Sequence, residues 1–452
     1  MSAKYISVDR NQPLLLPPDL REWIPEDDLV HFVIAAVEGV DVSVFRVNER
    51  GTGSPQYPPH MMLALLIYCY ANGIFSSRRI ERATYRDIGV RYLTGDTHPD
   101  HDTIAKFRRE NFDAVAACFV RVLELAQASG LLTVGTVSVD GTKVKANASI
   151  NRNVRYDRAG ALIEQLEREV QALMDQAEQT DAQDETDGQQ LPEALAKRER
   201  LKEKLEAARA QIEARHQAKA DAERAEYERK AKARQARKGQ KRGREPKPPD
   251  PTPAPKAQQN LTDPDSRLMR KNLRSGFEQS YNAQLTVDAD GSRLILAARV
   301  TTASSDYNEL IPDIDAMPNT LARPTHILAD SGYLNQHHVK PLEAQGIDLY
   351  IAPDKDARRR KHDFRPEPPP GKPKQQIRAP WILAMRAKLD TEDGHARYAK
   401  RKSTVEPIIG IIKSVLGFRQ FHLRGKQKVN GEWQLTTLAY NLKRLHTLTR
   451  TA

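Results

Sequence analysis

Three acidic residues stand where carboxylates could converge from distant parts of the chain: Asp140 in SVDGTKVK, Asp330 in HILADSGYL and Glu406 in YAKRKSTVEPIIGIIK. Val137 and Val139 precede the first, and a continuous apolar run from Ile327 to Ala329 precedes the second. Both runs read as strands, so Asp140 and Asp330 are expected at the carboxyl ends of sheet strands, where α/β sites usually lie. Thr404 is placed to cap a helix beginning at Val405, which puts Glu406 at its positive end and Pro407 in the tolerant first turn. Converging carboxylates suit hard divalent cations. Two Mg2+ ions about 3.5–4 Å apart activate the attacking oxygen and stabilise the leaving oxygen of a phosphodiester. Cutting or joining a nucleic-acid strand is the chemistry such a set performs. Each acid alone also has an ordinary reading. Asp140-Gly141 is a hairpin-turn dipeptide, Asp330-Ser331-Gly332 closes a buried strand, and Glu406 is favoured by the helix dipole on a salt-bridged face.

The elements that must bring these acids together are legible as pattern. Residues 1–55 form a Pro-rich arm with one amphipathic helix, Leu29 to Val37, opened by Pro25-Glu26-Asp27-Asp28. Residues 56–132 read as short helices: the apolar MMLALLIYCYANGIF, then RRIERATYRDIGVRYL behind Ser76-Ser77, then a helix opened by Asp102-Thr103. Arg78, Arg79, Lys106, Arg108 and Arg109 lie on these helices and are candidate contacts to DNA, with a solvated helical module as the plain alternative. TVSVDGTKVKANA is strand-like, and two further strands are joined by a turn from Asp288 to Ser292. A helix-like SDYNELIPDIDAM, the strand ending at Asp330, an irregular stretch from Pro353 to Pro380 and C-terminal helices complete the order. That order, strands in a meander and then a later strand beside the first, is that of an RNase H-like domain.

Between the first strand and the second lies a polar insertion, residues 156–259. Ile163, Leu166, Val170 and Leu173, then Leu201, Leu205, Ala208 and Ile212, keep the three-and-four spacing of a coiled-coil seam and predict an antiparallel helical hairpin. After Arg229 the chain becomes densely basic and then Pro-rich, a stretch expected to be disordered and to lie along phosphates or act as a tether. The fold expected is therefore α/β. An RNase H-like domain, 133–155 with 260–425, is interrupted by the helical hairpin, preceded by an all-α region and followed by a helix over 426–452.

The 452 residues suffice for several cores, and Lys+Arg 71 against Asp+Glu 60 gives a net charge of +11. That balance favours a polyanionic partner. Cys69 and Cys118 sit in apolar stretches without metal-type spacing, as reduced core thiols of a cytoplasmic protein would. No apolar window is long enough to span a membrane, so neither a membrane partner nor export is expected.

At the three acids the sequence resembles the DDE transposases of bacterial insertion sequences. SVDGTKVKANAS, HILADSGYL and YAKRKSTVEPIIGIIK look like that family's three catalytic blocks in order, and PDHDTIAKFR and GEWQLTTLAYNLKRL like its flanks. The third block resembles a Tyr-Arg-Glu-Lys signature, here Tyr398, Arg401, Glu406 and Lys413. It departs by one residue in the Arg-to-Glu spacing, so either Arg401 or Lys402 fills the arginine role. The resemblance implies that Asp140, Asp330 and Glu406 hold two Mg2+ ions, with Mn2+ as a substitute. It further implies that the substrate is double-stranded DNA, as terminal inverted repeats and target. A homodimer in the synaptic complex and a place at the nucleoid follow from the same likeness. An RNase H-like nuclease or resolvase that cuts without joining, and an inactive DNA-binding descendant, are the alternatives.

Overall fold

The computed structural model describes residues 19–47, 55–181, 190–236, 245–270, 275–353 and 379–451. The first part is helical: α1 Leu29–Glu38, α2 Pro59–Ala71, α3 Ser77–Arg86, α4 Ile88–Leu93, α5 His101–Glu110 and α6 Phe112–Ala128. Asp28 caps α1 through Val30 N, and Asp100 rather than Asp102 caps α5. The segment expected as one helix behind Ser76 is two, because Asp87 takes an extended conformation and caps α4. Helix α2 is apolar all round and wholly buried from Met62 to Ala71, as a helix packed on several sides must be.

Strand β1, Thr136–Lys145, runs unbroken through Asp140-Gly141. The hairpin dipeptide makes no turn, and Asp140 does not end the strand, because β5 pairs with all of it from Val137 to Lys145. The insertion follows as β2 Asn153–Arg155, α7 Tyr156–Asp181, α8 Gln190–Gln235 and β3 Gln258–Asn260. The two helices pack along the expected seam, with Leu166, Leu205, Ala208 and Ile212 buried but Leu201 exposed. Helix α8 continues past Arg229 to Gln235, so the first turns of the basic run are helical; residues 237–244 of that run lie outside the described residues. Strands β2 and β3 form a two-stranded ribbon at the base of the hairpin.

The main sheet is completed by β4 Arg267–Met269, β5 Glu278–Asp288, β6 Ile295–Thr301, β7 His326–Ala329 and β8 Asp348–Ile351. Between them come α9 Leu310–Asp315 and α10 Gln336–Ala344, and after them α11 Pro380–Asp390, α12 Glu392–Ala399, α13 Val405–Gly410 and α14 Lys426–Thr451. The strand order is β4-β5-β1-β7-β8, with β6 also on β5; β5 is antiparallel to β1 and β6, whereas β1, β7 and β8 are parallel. The result is a mixed sheet behind a helical N-terminal region. Helix α10 and β8 lie in a stretch to which the sequence reading assigned no element, and most of the irregular stretch, 354–378, lies outside the described residues.

Helix α14 packs on β6 with one face and on α2 and α6 with another. It buries Val429, Trp433, Leu435, Leu438 and Leu442, each such leucine contributing roughly 1.5–3 kcal/mol by leaving water. Its amides also satisfy strand backbone. Asn441 accepts from Ile295 N and donates to Ile295 O, both at 2.8 Å, and Asn430 accepts from Val300 N at 2.8 Å.

Candidate active site

Parallel pairing of β1 and β7 sets the first part of the site. Val139 lies opposite Ala329, so Asp140 and Asp330 are the next residues on adjacent strands. Strand β7 stops there because the Asp330 carboxylate accepts from Gly332 N at 2.8 Å and opens a 3-10 turn, Ser331–Tyr333. Strand β1 continues past it. Gly141 leaves room here for two neighbouring side chains, since a Cβ would fall 2.5 Å from the Gln284 amide and 2.7 Å from Asp306 Oδ1 and push them aside.

Arg401 joins Asp140 to the third acid. Its Nη2 donates to Asp140 Oδ2 at 2.7 Å and its Nη1 to Glu406 Oε1 at 3.0 Å. The Arg401 and Asp140 side chains are 12% and 15% exposed, and Glu406 is 47% exposed. Lys402, the other candidate for the arginine role, is exposed and turned to solvent. Burial, with Asp330 and Asp306 nearby, pushes the Asp140 carboxyl up to about 6 against the pull of Arg401. Helix α13 begins at Val405 as expected, but Thr404 does not cap it; its hydroxyl donates back to Lys400 O at 2.9 Å.

A straight α-helix from Val405 would carry Lys413 two turns beyond Glu406, but the helix does not continue straight. The backbone widens into a π-helical turn over Ile411–Val415, and Lys413 Nζ donates to Thr142 Oγ1 and Lys143 O, both at 2.6 Å. Such turns re-aim side chains, here onto β1 two and three residues beyond Asp140. Tyr398 is half-buried in α12 against the core, and burial raises its hydroxyl pKa.

Two members of the cleft escaped sequence reasoning. Asp306 lies in the loop after β6, inside the stretch read as helix. Its Oδ1 accepts from Asn282 Nδ2 at 2.6 Å and Gln284 Nε2 at 2.7 Å, and Lys143 Nζ stands 3.7 Å away. Burial lowers the Lys143 pKa, opposed by Asp306, Asp140 and Asp330. The alternation of β1 and β5 carried the signal, since Gly141 and Lys143 share one face of β1, opposite Gln284 and Asn282.

The donor set is that of a hard divalent cation: carboxylate oxygens, of which Asp140 and Glu406 are here held by Arg401. Among the described residues no three acidic, histidine or cysteine side chains stand together closely enough to hold a metal, and Arg401 occupies the space between Asp140 and Glu406. In donor chemistry the residues fit.

The expected DNA contacts of the helical region divide. Arg78, Arg79, Lys106 and Arg109 are exposed, and Arg82 and Arg86 extend the face of α3 at four-residue spacing. Arg108 is a correction. It is 6% exposed and its Nη1 donates to Tyr70 Oη at 2.9 Å and Phe75 O at 2.8 Å, inside the core.

The family model of a transposase DDE domain matches residues 251–442, and a second, a transposase domain (DUF772), matches residues 18–110. The chain belongs to the DDE transposases of insertion sequences. The DDE match takes in Asp330 and Glu406, whereas β1 with Asp140 and the helices of the insertion lie between the two matched segments. No curated protein and no solved structure matches the chain. DNA is the substrate of such transposases, and among the described residues no helix is long and apolar enough to cross a membrane.

Proposed function

We propose that this transposase cuts DNA at the ends of its insertion element and joins those ends to a target, using Asp140, Asp330 and Glu406 as the ligands of two Mg2+ ions, or Mn2+ in their place. The observation that carries the reading is Arg401, whose guanidinium binds Asp140 and Glu406 at once across 261 and 5 residues of sequence. The strand order, with the meander β1-β5-β6 and β7 returning beside β1, supports an RNase H-like domain interrupted by the helical hairpin. When bound, the ions supply an activated attacking oxygen and a stabilised leaving oxygen.

The chain's own residues do the rest. Arg401 relieves repulsion among the carboxylates and presents a planar fork that fits a phosphate, the role of the arginine in a Tyr-Arg-Glu-Lys signature. Lys413 fixes α13 to β1, which holds Glu406 near Asp140, and Tyr398 packs beside Arg401. Arg78, Arg79, Lys106 and Arg109, in a DNA-binding region over 56–132, contact the terminal repeats of double-stranded DNA. Synapsis of two ends calls for a homodimer.

Incubating supercoiled plasmid with the protein, an end-bearing fragment and Mg2+ tests the reading. Joined products are expected. Nicks alone would make the protein a nuclease or resolvase, and retardation without cutting a DNA-binding descendant.

A further inference from the structure

The base of the inserted hairpin meets the main sheet in a groove of about 560 Å3 that the proposed reaction does not use. Strands β2 and β3 form one wall, β4 and the start of β5 the floor, and Thr302 and Ser304 the opposite side. Its amides are committed to each other: Asn153 Nδ2 donates to Gln279 Oε1 at 3.0 Å, and Gln279 Nε2 to Ser266 Oγ at 2.8 Å. They set the shape and leave recognition to other groups.

Those groups are cationic and aromatic. Arg267 lines the groove and donates only to the carbonyls of Pro264 and Ser266, at 2.6 and 2.8 Å. Arg215 of α8 donates to Gln259 Oε1 at 2.9 Å and to Gln258 O at 3.1 Å. Asp263 and Asp265 stand close enough to draw on the Arg267 charge, while Asp263 Oδ1 also accepts from Tyr281 Oη and Gly425 N and Asp265 Oδ2 from Lys426 N. Of these two half-buried guanidiniums Arg267 lines the groove and Arg215 stands outside its lining, where burial together with Arg267 lowers it to about 10. A guanidinium in the groove lining is a donor to which a phosphate can bind. Exposed Lys256 adds another cation at the rim. Beside them Phe277 is 54% exposed, with the Arg270 guanidinium 5.3 Å from its ring centroid. Cations along a groove with an open aromatic ring are the two parts of a single-strand site.

We infer that this groove holds an unpaired nucleotide of the DNA strand running from the acidic cleft, its phosphate on Arg267 and Lys256 and its base on the free face of Phe277. The inference rests on DNA being the substrate. A continuous duplex keeps its bases stacked inside and offers none to Phe277. The distance is suitable: β1 leads from Asp140 to Lys145, five residues or ~17 Å along a strand, and Lys145 lies opposite Ser280, next to Gln279 in the floor. On the other side Ser304 precedes Asp306 by two residues. The insertion thus has a use beyond its length, since β2 and β3 build half of the groove.

The test uses the full chain in EDTA with a fluorescent single-stranded oligothymidylate and an uncut duplex, compared for wild type, Phe277→Ala and Lys256→Ala. Both side chains are exposed, and an unchanged thermal midpoint shows that each variant folds. Phe277→Ala should weaken single-strand binding about tenfold, within the range for one stacked base. Lys256→Ala should reduce the log–log salt slope by about 0.7. Duplex affinity should hold in both. An oligonucleotide carrying 5-iodouracil should crosslink to Phe277. Single-strand affinity within twofold of wild type in both variants, or a crosslink confined to α3, would overturn the inference. Because nothing need be cut, a chain inactive on plasmid can pass this test and an active one can fail it.

Discussion

The acidic cleft and the N-terminal helices both concentrate charge, and they treat arginine in opposite ways. In the cleft, Arg401 is drawn inward and neutralises two carboxylates from distant segments. On α3 and α5 the arginines face solvent, except Arg108, which is buried on Tyr70 near Glu432 of α14. The type of residue is the same; burial decides whether its charge organises protein or stays available for phosphate. A buried arginine such as Arg108 is spent on the protein, whereas those on the exposed face of α3 keep their charge for solvent or phosphate.

The largest effect that sharpens this contrast concerns the acids. Asp140→Asn or Asp330→Asn should reduce cleavage to background while end binding survives, because exposed cations supply it. Mg2+ should stabilise wild type by about 2.7 kcal/mol at a hundred times the Kd, seen as a raised thermal midpoint, but should not stabilise these variants. In metal-free protein Asp140→Asn should be more stable than wild type at pH 7. The folded carboxyl, near 6, lies above its ordinary value of 3.8, so ionisation costs stability as pH rises between those values, and the two chains should converge near pH 4. The gain is at most about 3 kcal/mol. Near-normal cleavage in either variant removes that acid from the site.

Next comes Arg108→Met. It strips the cation that Tyr70 links to buried Glu432 and leaves the buried Phe75 carbonyl without that donor, and losing hydrogen bonds to a charged group costs about 1.5–3 kcal/mol. The same denaturation measurement on Arg79→Ala should show almost no change. Equal losses in the two variants would erase the distinction between core and surface arginines.

Lys413→Ala stands third. Two short hydrogen bonds to β1 make it a tether as well as a cation, so stability should fall by about 1–3 kcal/mol together with the joining rate. A normal midpoint with lost joining would make it a phosphate contact alone. The smallest effects belong to Arg78→Ala and Arg79→Ala, each expected to reduce the salt slope of end binding by about 0.9 if it touches a phosphate. An unchanged slope in both moves the DNA contact away from α3.

How far residue patterns reach is clear from particular cases. The strand ends before Asp330 and the helix start at Val405 were legible, because apolar runs and a proline in the first turn constrain the backbone locally. The hairpin seam was legible because periodicity over many turns is hard to produce otherwise. Asp140-Gly141 misled because its turn preference is local, while the pairing of β1 with β5 over nine residues is not. Arg108 misled for the same reason: helical spacing says which residues share a face, not what that face packs against. Asp306 was invisible because its place depends on where a loop folds back onto β1 and β5. The π-helical turn at Ile411 left no mark in the residues at all.

Helix α14 carries a consequence for partial chains. It is the shared wall between α2, α6 and β6, and it lies after every one of them in sequence. A chain cut short before Lys426, by a frameshift in a decaying copy of the element or by an interrupted message, would leave the apolar side of α2 and the backbone of β6 uncovered together. Such a product would be steered to aggregation or proteolysis rather than persist as a fragment that occupies DNA ends without being able to cut them.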